Sequence, residues 1–330
     1  MTATAALGRR TIGISVLGLG AALGAAALLS QSLSLPTRLQ DAVTLATGVF
    51  LESLAFVFLG ILLGAIVQVW VPMSLWHRVL PRRPVLRRAV LSLLGVLMPV
   101  CECGNVPLAR GLMQRGFTTA ESLTFLLAAP VLNPVTIVTT YQAFGWQDGI
   151  LLARLGGAFV IAQCIGWVVA HVRDERDLLT PSFQAQCEHQ PHEAQQSSVA
   201  RAVGIAVTEA RVLLPALVIG SVLAGAIQAG VPRTVLLGIG SHPVLSVVAL
   251  MLLAFIVSLC SSIDAFFILT FSSTFLPGGI VAFLVFGAML DLKMLMLLST
   301  TFRPRLLAFM VLTVGLACLS LGWGINSVFA

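Results

Sequence analysis

Charged residues are scarce in this 330-residue chain: Lys, Arg, Asp and Glu make up 10% of it and hydrophobic residues 58%. A soluble globular domain carries about 25% charge, so there is too little polar material here to cover a water-facing surface. The apolar segments also lack period-two alternation, which excludes a membrane barrel. No Gly-x-x-x-x-Gly-Lys-Ser/Thr run occurs, which argues against primary pumping by this chain alone. No cofactor is expected, and there is neither a Cys-x-x-Cys pair nor a recognisable quinone or haem signature. The six cysteines form no disulfide framework, because Cys101, Cys103, Cys164, Cys260 and Cys318 lie in apolar segments and only Cys187 sits in a polar one. The surplus of six positive charges gathers in short clusters beside hydrophobic runs rather than along a polar face, so nucleic acid is not the expected partner.

What is present is a series of Leu-, Val-, Ile-, Ala- and Gly-rich runs, several long enough to span a bilayer at roughly 20 residues each. They predict an all-α polytopic membrane protein, with spans near 11 to 30, 47 to 71, 89 to 113, 119 to 144, 149 to 171, 210 to 230, 243 to 271, 278 to 298 and 305 to 328. The first follows Arg9-Arg10. It reads as a retained helix rather than a cleaved signal, since no cleavage box follows and the twin-arginine context is incomplete. Arg173 to Arg201 is the longest polar stretch and carries Cys187, Glu188, His189 and His192. It reads as the linker between the halves; for those four residues a solvated loop is the preferred reading and a metal-sensing tract the alternative. The chain thus divides into an N-terminal extra helix (1–43), a first repeat (44–172), a linker (173–206) and a second repeat (207–330).

The repeats rest on a duplication. Gly60, Leu63, Gln68, Val71 and Pro72 recur as Gly220, Leu223, Gln228, Val231 and Pro232; Cys101 with Asn105 answers to Cys260 with Asp264, and Leu132-Asn133 to Leu290-Asp291. Orientation follows from charge. Arg78, Arg82, Arg83, Arg87 and Arg88 crowd one loop, the mark of a cytoplasmic side, or more weakly of an anionic-lipid patch. If the segment through Pro99–Pro107 crosses the membrane, Arg110, Arg115, Arg173, Arg176 and Arg201 fall on the opposite side from that loop. If it re-enters, they join Arg303 and Arg305 inside, each half keeps an odd number of spans, and the repeats are inverted. The re-entrant reading is preferred; helices that cross fully while broken in the middle give the same hydropathy.

Three interruptions of the apolar runs carry chemistry. Pro99-Val100-Cys101-Glu102-Cys103-Gly104-Asn105-Val106-Pro107 sets two prolines, a glycine, two thiols, a carboxylate and an amide where a lipid-facing helix has none. Proline removes backbone donors and glycine permits tight turns, so freed polar groups need partners in protein, water or substrate. Cys101 and Cys103 offer two soft ligands to a thiophilic metal or metalloid, with Cys260 a candidate third; small cysteines packed at a helix break are the competing reading. Glu102 reads as a proton-coupling or substrate-path residue, or as a cap on the hairpin. Leu259 to Phe267 repeats the pattern with Cys260, Ser261 and a second intramembrane acid, Asp264. Pro130 to Pro134 breaks the following span and presents Asn133; its counterpart carries Asp291, a third coupling candidate, with Lys293 two residues on. Lys293 serves either as a neutralising partner of Asp291 or in coupling. Arg154 is expected to snorkel to the interface, with a role in substrate binding the alternative, and His77 and His242 to lie at segment ends.

At these residues, from about Thr44 to the C-terminus, the chain resembles the bacterial predicted-permease family that includes the organoarsenical efflux permeases. Pro99, Cys101, Cys103, Gly104 and Pro107 meet a Pro-x-Cys-Ser-Cys-small-x-x-Pro pattern, and Cys260, Ser261, Asp264, Ala265 and Phe266 a Cys-Ser-x-x-Asp-Ala-Phe pattern. Glu102 replaces the usual serine and adds charge. The resemblance implies a permease, not an enzyme, exporting a small solute across the inner (cytoplasmic) membrane; trivalent organoarsenicals are substrates of some members. The expected partners are that solute or metalloid, the lipid bilayer and further copies in a homo-oligomer. Two other classes remain open, a membrane thiol oxidoreductase using Cys101 and Cys103, and a non-transporting subunit of a membrane complex.

Overall fold

The computed structural model describes residues 37–97, 100–146, 149–172, 174–188, 197–230, 242, 244–272 and 274–329. The expected first span, His189, His192, Val231, Pro232 and Pro99 lie outside them. The described chain is helical, its one β feature being an isolated antiparallel bridge between Leu179 and Phe302.

The first half runs α1 (Thr37–Trp70), α2 (Met73–Val79), α3 (Pro84–Leu93), α4 (Glu102–Gln114), α5 (Thr119–Ala128), α6 (Pro134–Phe144) and α7 (Ile150–Val169); α8 (Pro181–Glu188) belongs to the linker. The second runs α9 (Ser198–Gly230), α10 (Leu245–Val257), α11 (Asp264–Leu269), α12 (Pro277–Met289), α13 (Leu292–Leu298) and α14 (Pro304–Phe329). The same order of elements recurs: a long helix, two short helices facing each other across an irregular tip, a broken pair, and a final long helix. Among the described residues five segments are apolar and long enough to cross a membrane: α1, α7, α9, α12 with α13, and α14. This is a multi-pass membrane protein. Two spans start earlier than hydropathy predicts, since α1 begins at Thr37, nearly three turns before residue 47, and α9 begins inside the polar stretch, at Ser198.

Local chemistry explains the breaks. Thr118 and Glu121 form a reciprocal capping box that starts α5. Pro130 cannot continue that helix, and Asn133 restarts it as the N-cap of α6, accepting from the Val135 N–H at 2.9 Å with Pro134 at the first helical position. Asp291 does the same for α13, accepting from the Met294 N–H at 2.6 Å.

Small residues let the pieces meet. A Cβ on Gly60 of α1 would overlap the Gly104 carbonyl of α4, and one on Gly225 of α9 would lie 2.5 Å from the Ala46 nitrogen of α1. Close backbone crossing of this kind is how helices associate in lipid. The contacts also give direction. Gly225, late in α9, meets Ala42 and Ala46, early in α1; Arg115 donates to the Val67 and Gln68 carbonyls at the end of α1, and Gln114 to Glu209 early in α9. The two long helices therefore run antiparallel. So do α7 and α14, with Gly157 against Leu321, α14 starting where α7 ends.

The α3–α4 hairpin has both open ends at one end of the bundle: Arg87 pairs with Glu121 at 2.9 Å and Arg115 holds the end of α1. The α10–α11 hairpin enters from the other end, where Gly322 meets Val247 and the Gly278 N–H donates to Asn326 Oδ1 at 2.8 Å.

The linker is more than solvated loop. Residues 174–188 are strapped across the first of these ends. Thr180 N–H donates to the Thr301 carbonyl at 2.9 Å, Arg303 N–H to the Leu178 carbonyl at 2.9 Å, and Thr119 N–H to Glu175 at 2.8 Å. Leu179 and Phe183, four residues apart, are buried beneath it.

Candidate functional site

The two hairpin tips and the two broken pairs meet inside the bundle, and four short helices begin there: α4 at Glu102, α6 after Asn133, α11 at Asp264 and α13 after Asp291. Helix N-termini carry partial positive charge, and carboxylates or an amide stand at each of them. The first tip is braced on the first break, Asn133 Nδ2 donating to the Val100 carbonyl at 3.0 Å and Asn105 Nδ2 to the same oxygen at 3.5 Å.

A polar chain then runs from one half to the other. Ser261 donates from its hydroxyl to Glu102 Oε2 at 3.3 Å and from its N–H at 3.5 Å. Lys293 Nζ lies 3.2 Å from Glu102 Oε1 and 3.6 Å from Asp291 Oδ2. On the other side of Ser261, Arg154 Nη2 reaches Asp264 Oδ2 at 2.6 Å and the Ser261 carbonyl at 3.4 Å, and its Nη1 donates to Thr140 at 2.7 Å. Thr136 donates to the Pro130 carbonyl at 3.0 Å and to Ser261 Oγ at 3.5 Å. Glu102, Asp264, Asp291, Lys293 and Arg154 are at most 3% exposed. Burying such groups is costly unless they are paired, and pairing is nearly but not fully achieved: Asp264 Oδ1, Asn105 Oδ1 and Arg154 Nε make no hydrogen bond.

The thiols stand beside this chain. Cys101 lies in hydrogen-bond contact with Cys103 and Cys260, and the ligand atoms of Cys101, Glu102 and Cys260 are all within 4.8 Å of one another.

Most of the expected site residues thus converge: Cys101, Glu102, Cys103, Asn105, Asn133, Cys260, Ser261, Asp264 and Asp291, with Pro130 contributing a carbonyl. Gly104 and Pro107 instead face α1, against Phe56 and Gly64, and Pro134 starts its helix. Arg154 does not snorkel; it is fully buried because Asp264 and Thr140 hold it inside. Lys293 is shared between two acids rather than given to Asp291 alone. Thr136 and Thr140 escaped the sequence reading altogether, and so did Glu52, half-buried on α1, whose charge acts on Lys293 and Glu102. Its signal was an acid in the middle of a long apolar helix.

A second buried cluster closes the strapped end. Arg110, two turns along α4 from Glu102, donates to Glu209 Oε2 at 2.6 Å, Thr301 Oγ1 at 2.7 Å and Gln186 Oε1 at 2.8 Å, with its guanidinium 4.3 Å from the centre of the Phe183 ring. One side chain so joins the first half, the second half and the linker.

Comparison with known proteins agrees with this picture of a membrane protein built for passage. The family model described as predicted permease, ArsP_1, matches residues 38–326. The UPF0718 protein YcgR of Bacillus subtilis (strain 168) is 34% identical over 263 residues, 80% of this chain and 89% of that one. A Streptococcus mutans serotype c protein, provisionally named a two-component membrane permease complex subunit, is 30% identical over 82% of this chain and 90% of its own. The UPF0718 protein YraQ of Escherichia coli (strain K12) is 32% identical over 47% of this chain and 43% of its own. No solved structure matches.

Proposed function

Because the chain belongs to the predicted permease family, we propose that it is a secondary transporter of the inner membrane that exports a small thiophilic solute, a metal, metalloid or organoarsenical species, by alternating access. The observation that carries this reading is the meeting of thiols and shared acids from both hairpin tips at one buried point. A site built from irregular backbone and short-helix ends at a repeat interface is the transporter pattern. The halves act as inverted repeats in this reading; the antiparallel run of α1 against α9 and of α7 against α14, and the entry of the hairpins from opposite ends, support it. The tips re-enter rather than cross. Arg87, Arg115 and Arg303 gather at the strapped end, which the positive-inside bias makes cytoplasmic, and the Arg110 cluster is the gate that holds that end shut.

Coupling falls to Glu102, Asp264 or Asp291. With Glu52 they place four carboxyl groups around two cations, Lys293 and Arg154, an excess that suits carriage of protons. The Streptococcus relative's name favours a second reading, in which the chain works as one of two membrane subunits; co-purification of a second polypeptide from its native membrane tests that.

The first test is accumulation of methylarsenite, Zn, Cu and Cd in sensitised cells, with and without this protein and its Cys101→Ser/Cys103→Ser variant. Lowered accumulation that needs the cysteines is the expected result. Unchanged accumulation of all four removes the thiophilic substrate and leaves a permease for other solutes.

A further inference from the structure

The Cys-x-Cys pair reads, in sequence, as the natural soft-ligand unit, yet the three donors that the fold brings together are Cys101, Glu102 and Cys260. Cys103 touches Cys101 but is not one of them. We propose that these three side chains form a binding site for a divalent, thiophilic metal ion of the Zn²⁺ or Cd²⁺ type, with Lys293 as its fixed counter-charge. The inference rests on the permease reading and narrows its cargo.

The geometry is close to what such an ion requires. Sulfur donors in a tetrahedral zinc site stand roughly 3.8 Å apart, given a metal–sulfur distance of about 2.3 Å. Separations within 4.8 Å need only a small inward movement of side chains. Three protein donors leave a fourth position open, and open positions mark exchangeable sites, whereas four closed ligands mark structural ones. A cargo ion must be exchangeable. Sulfur donors exclude Mg²⁺ and Ca²⁺, which take oxygen.

Charge favours a cation there. Two thiolates and the Glu102 carboxylate bring three negative charges, and the Lys293 ammonium, 3.2 Å from Glu102 Oε1 and shared with Asp291, offsets only part of them, so a divalent ion is needed for the rest. Each thiol gives its proton to water as it takes the metal. A methylated trivalent arsenical needs only two sulfurs, since its methyl carbon fills the third position, and has no use for a carboxylate at that place. Glu102 is therefore the residue that tells the two cargoes apart.

The site also straddles the halves. Cys101 and Glu102 belong to the hairpin entering from the strapped end and Cys260 to the one entering from the other, so the donor set exists only while the tips touch.

The test uses the full chain in detergent, titrated with Cd²⁺ and followed by thiolate-to-metal charge-transfer absorption. One Cd²⁺ per chain is expected. In the unaltered protein, bound Cd²⁺ should protect Cys101 and Cys260 from maleimide, read by peptide mass spectrometry, and leave Cys103 as reactive as before. Glu102→Gln should weaken Cd²⁺ binding by at least about tenfold, the lower end of what losing even an outer-shell partner costs. The same variant should leave unchanged the capture of methylarsenite, counted as free thiols lost. Protection of Cys101 with Cys103 but not Cys260, or a Cd²⁺ affinity indifferent to Glu102→Gln, overturns the site. Methylarsenite capture without Cd²⁺ binding sinks this inference and spares the thiophilic permease. Cd²⁺ binding as described, with no change in cellular accumulation, keeps the site and sinks the reading of its ion as exported cargo.

Discussion

Asp264 and Arg154 illustrate at residue scale how the interior is balanced. The pair is fully buried, with Nη2 2.6 Å from Oδ2. Breaking one partner of such a pair costs about 3–5 kcal/mol, because a bare charge is left behind. Arg154→Met should therefore lower the melting temperature in detergent markedly, and Arg154→Met/Asp264→Leu should recover most of the loss. A double variant as unstable as the single one would show that Arg154 is held by Thr140 and the Ser261 carbonyl instead. Asp264→Asn tests coupling: if Asp264 carries the proton, a pH gradient no longer drives transport in vesicles. Intact proton-driven transport would remove Asp264 from that role and leave Glu102 and Asp291.

At the scale of elements, the site depends on α4 lying against α1. Gly60 and Gly104 have no room for a side chain at that crossing, where added atoms would meet backbone rather than a yielding side chain. Gly60→Val should destabilise the protein by about 1–3 kcal/mol, the usual cost of overpacking, and shift the first hairpin tip enough to impair binding. Gly156→Ala, on an exposed face of α7 with nothing within 4 Å of the new carbon, is the matched control. It should be neutral or slightly stabilising, since alanine favours helix over glycine. Equal damage from both variants, against the gain in helix propensity that each replacement brings, would remove the α1–α4 contact as the reason for Gly60.

Across the whole molecule, Arg110 and the strap tie the linker to both halves at one end. Burial raises the Cys187 thiol above its usual range, with Arg110 opposing the shift and Glu209 and Glu188 adding to it. A raised value means less thiolate at neutral pH and slow alkylation. Arg110→Ala removes the guanidinium that ties Gln186, Glu209 and Thr301 together, so the strap should lift and Cys187 should be exposed. Maleimide labelling of Cys187 at pH 7.5 should then speed up severalfold, and raising the pH should accelerate the wild type more than the variant. If labelling does not change, the strap is held without Arg110, by its bonds to Thr119, Thr301 and Arg303.

Much of the architecture was legible because lipid tolerates few polar groups. The long apolar runs announced helices, and the polar interruptions at Cys101–Asn105, Asn133, Cys260–Asp264 and Asp291 announced a site, since a carboxylate or a broken helix in hydrocarbon is too costly to be incidental. The strap was less legible, because composition hides a stripe: Leu179, Phe183 and Cys187 recur every four residues among polar neighbours, and Leu179 and Phe183 are buried. Pairing across the fold was a different matter. Nothing in the chain order says that Lys293 bridges Glu102 and Asp291, that Arg154 answers Asp264, that Glu52 faces them, or that Cys260 rather than Cys103 completes a donor set. Residue type and local spacing determine which groups must find partners; which partners they find depends on how the packed helices bring distant segments together, and that belongs to the tertiary structure alone.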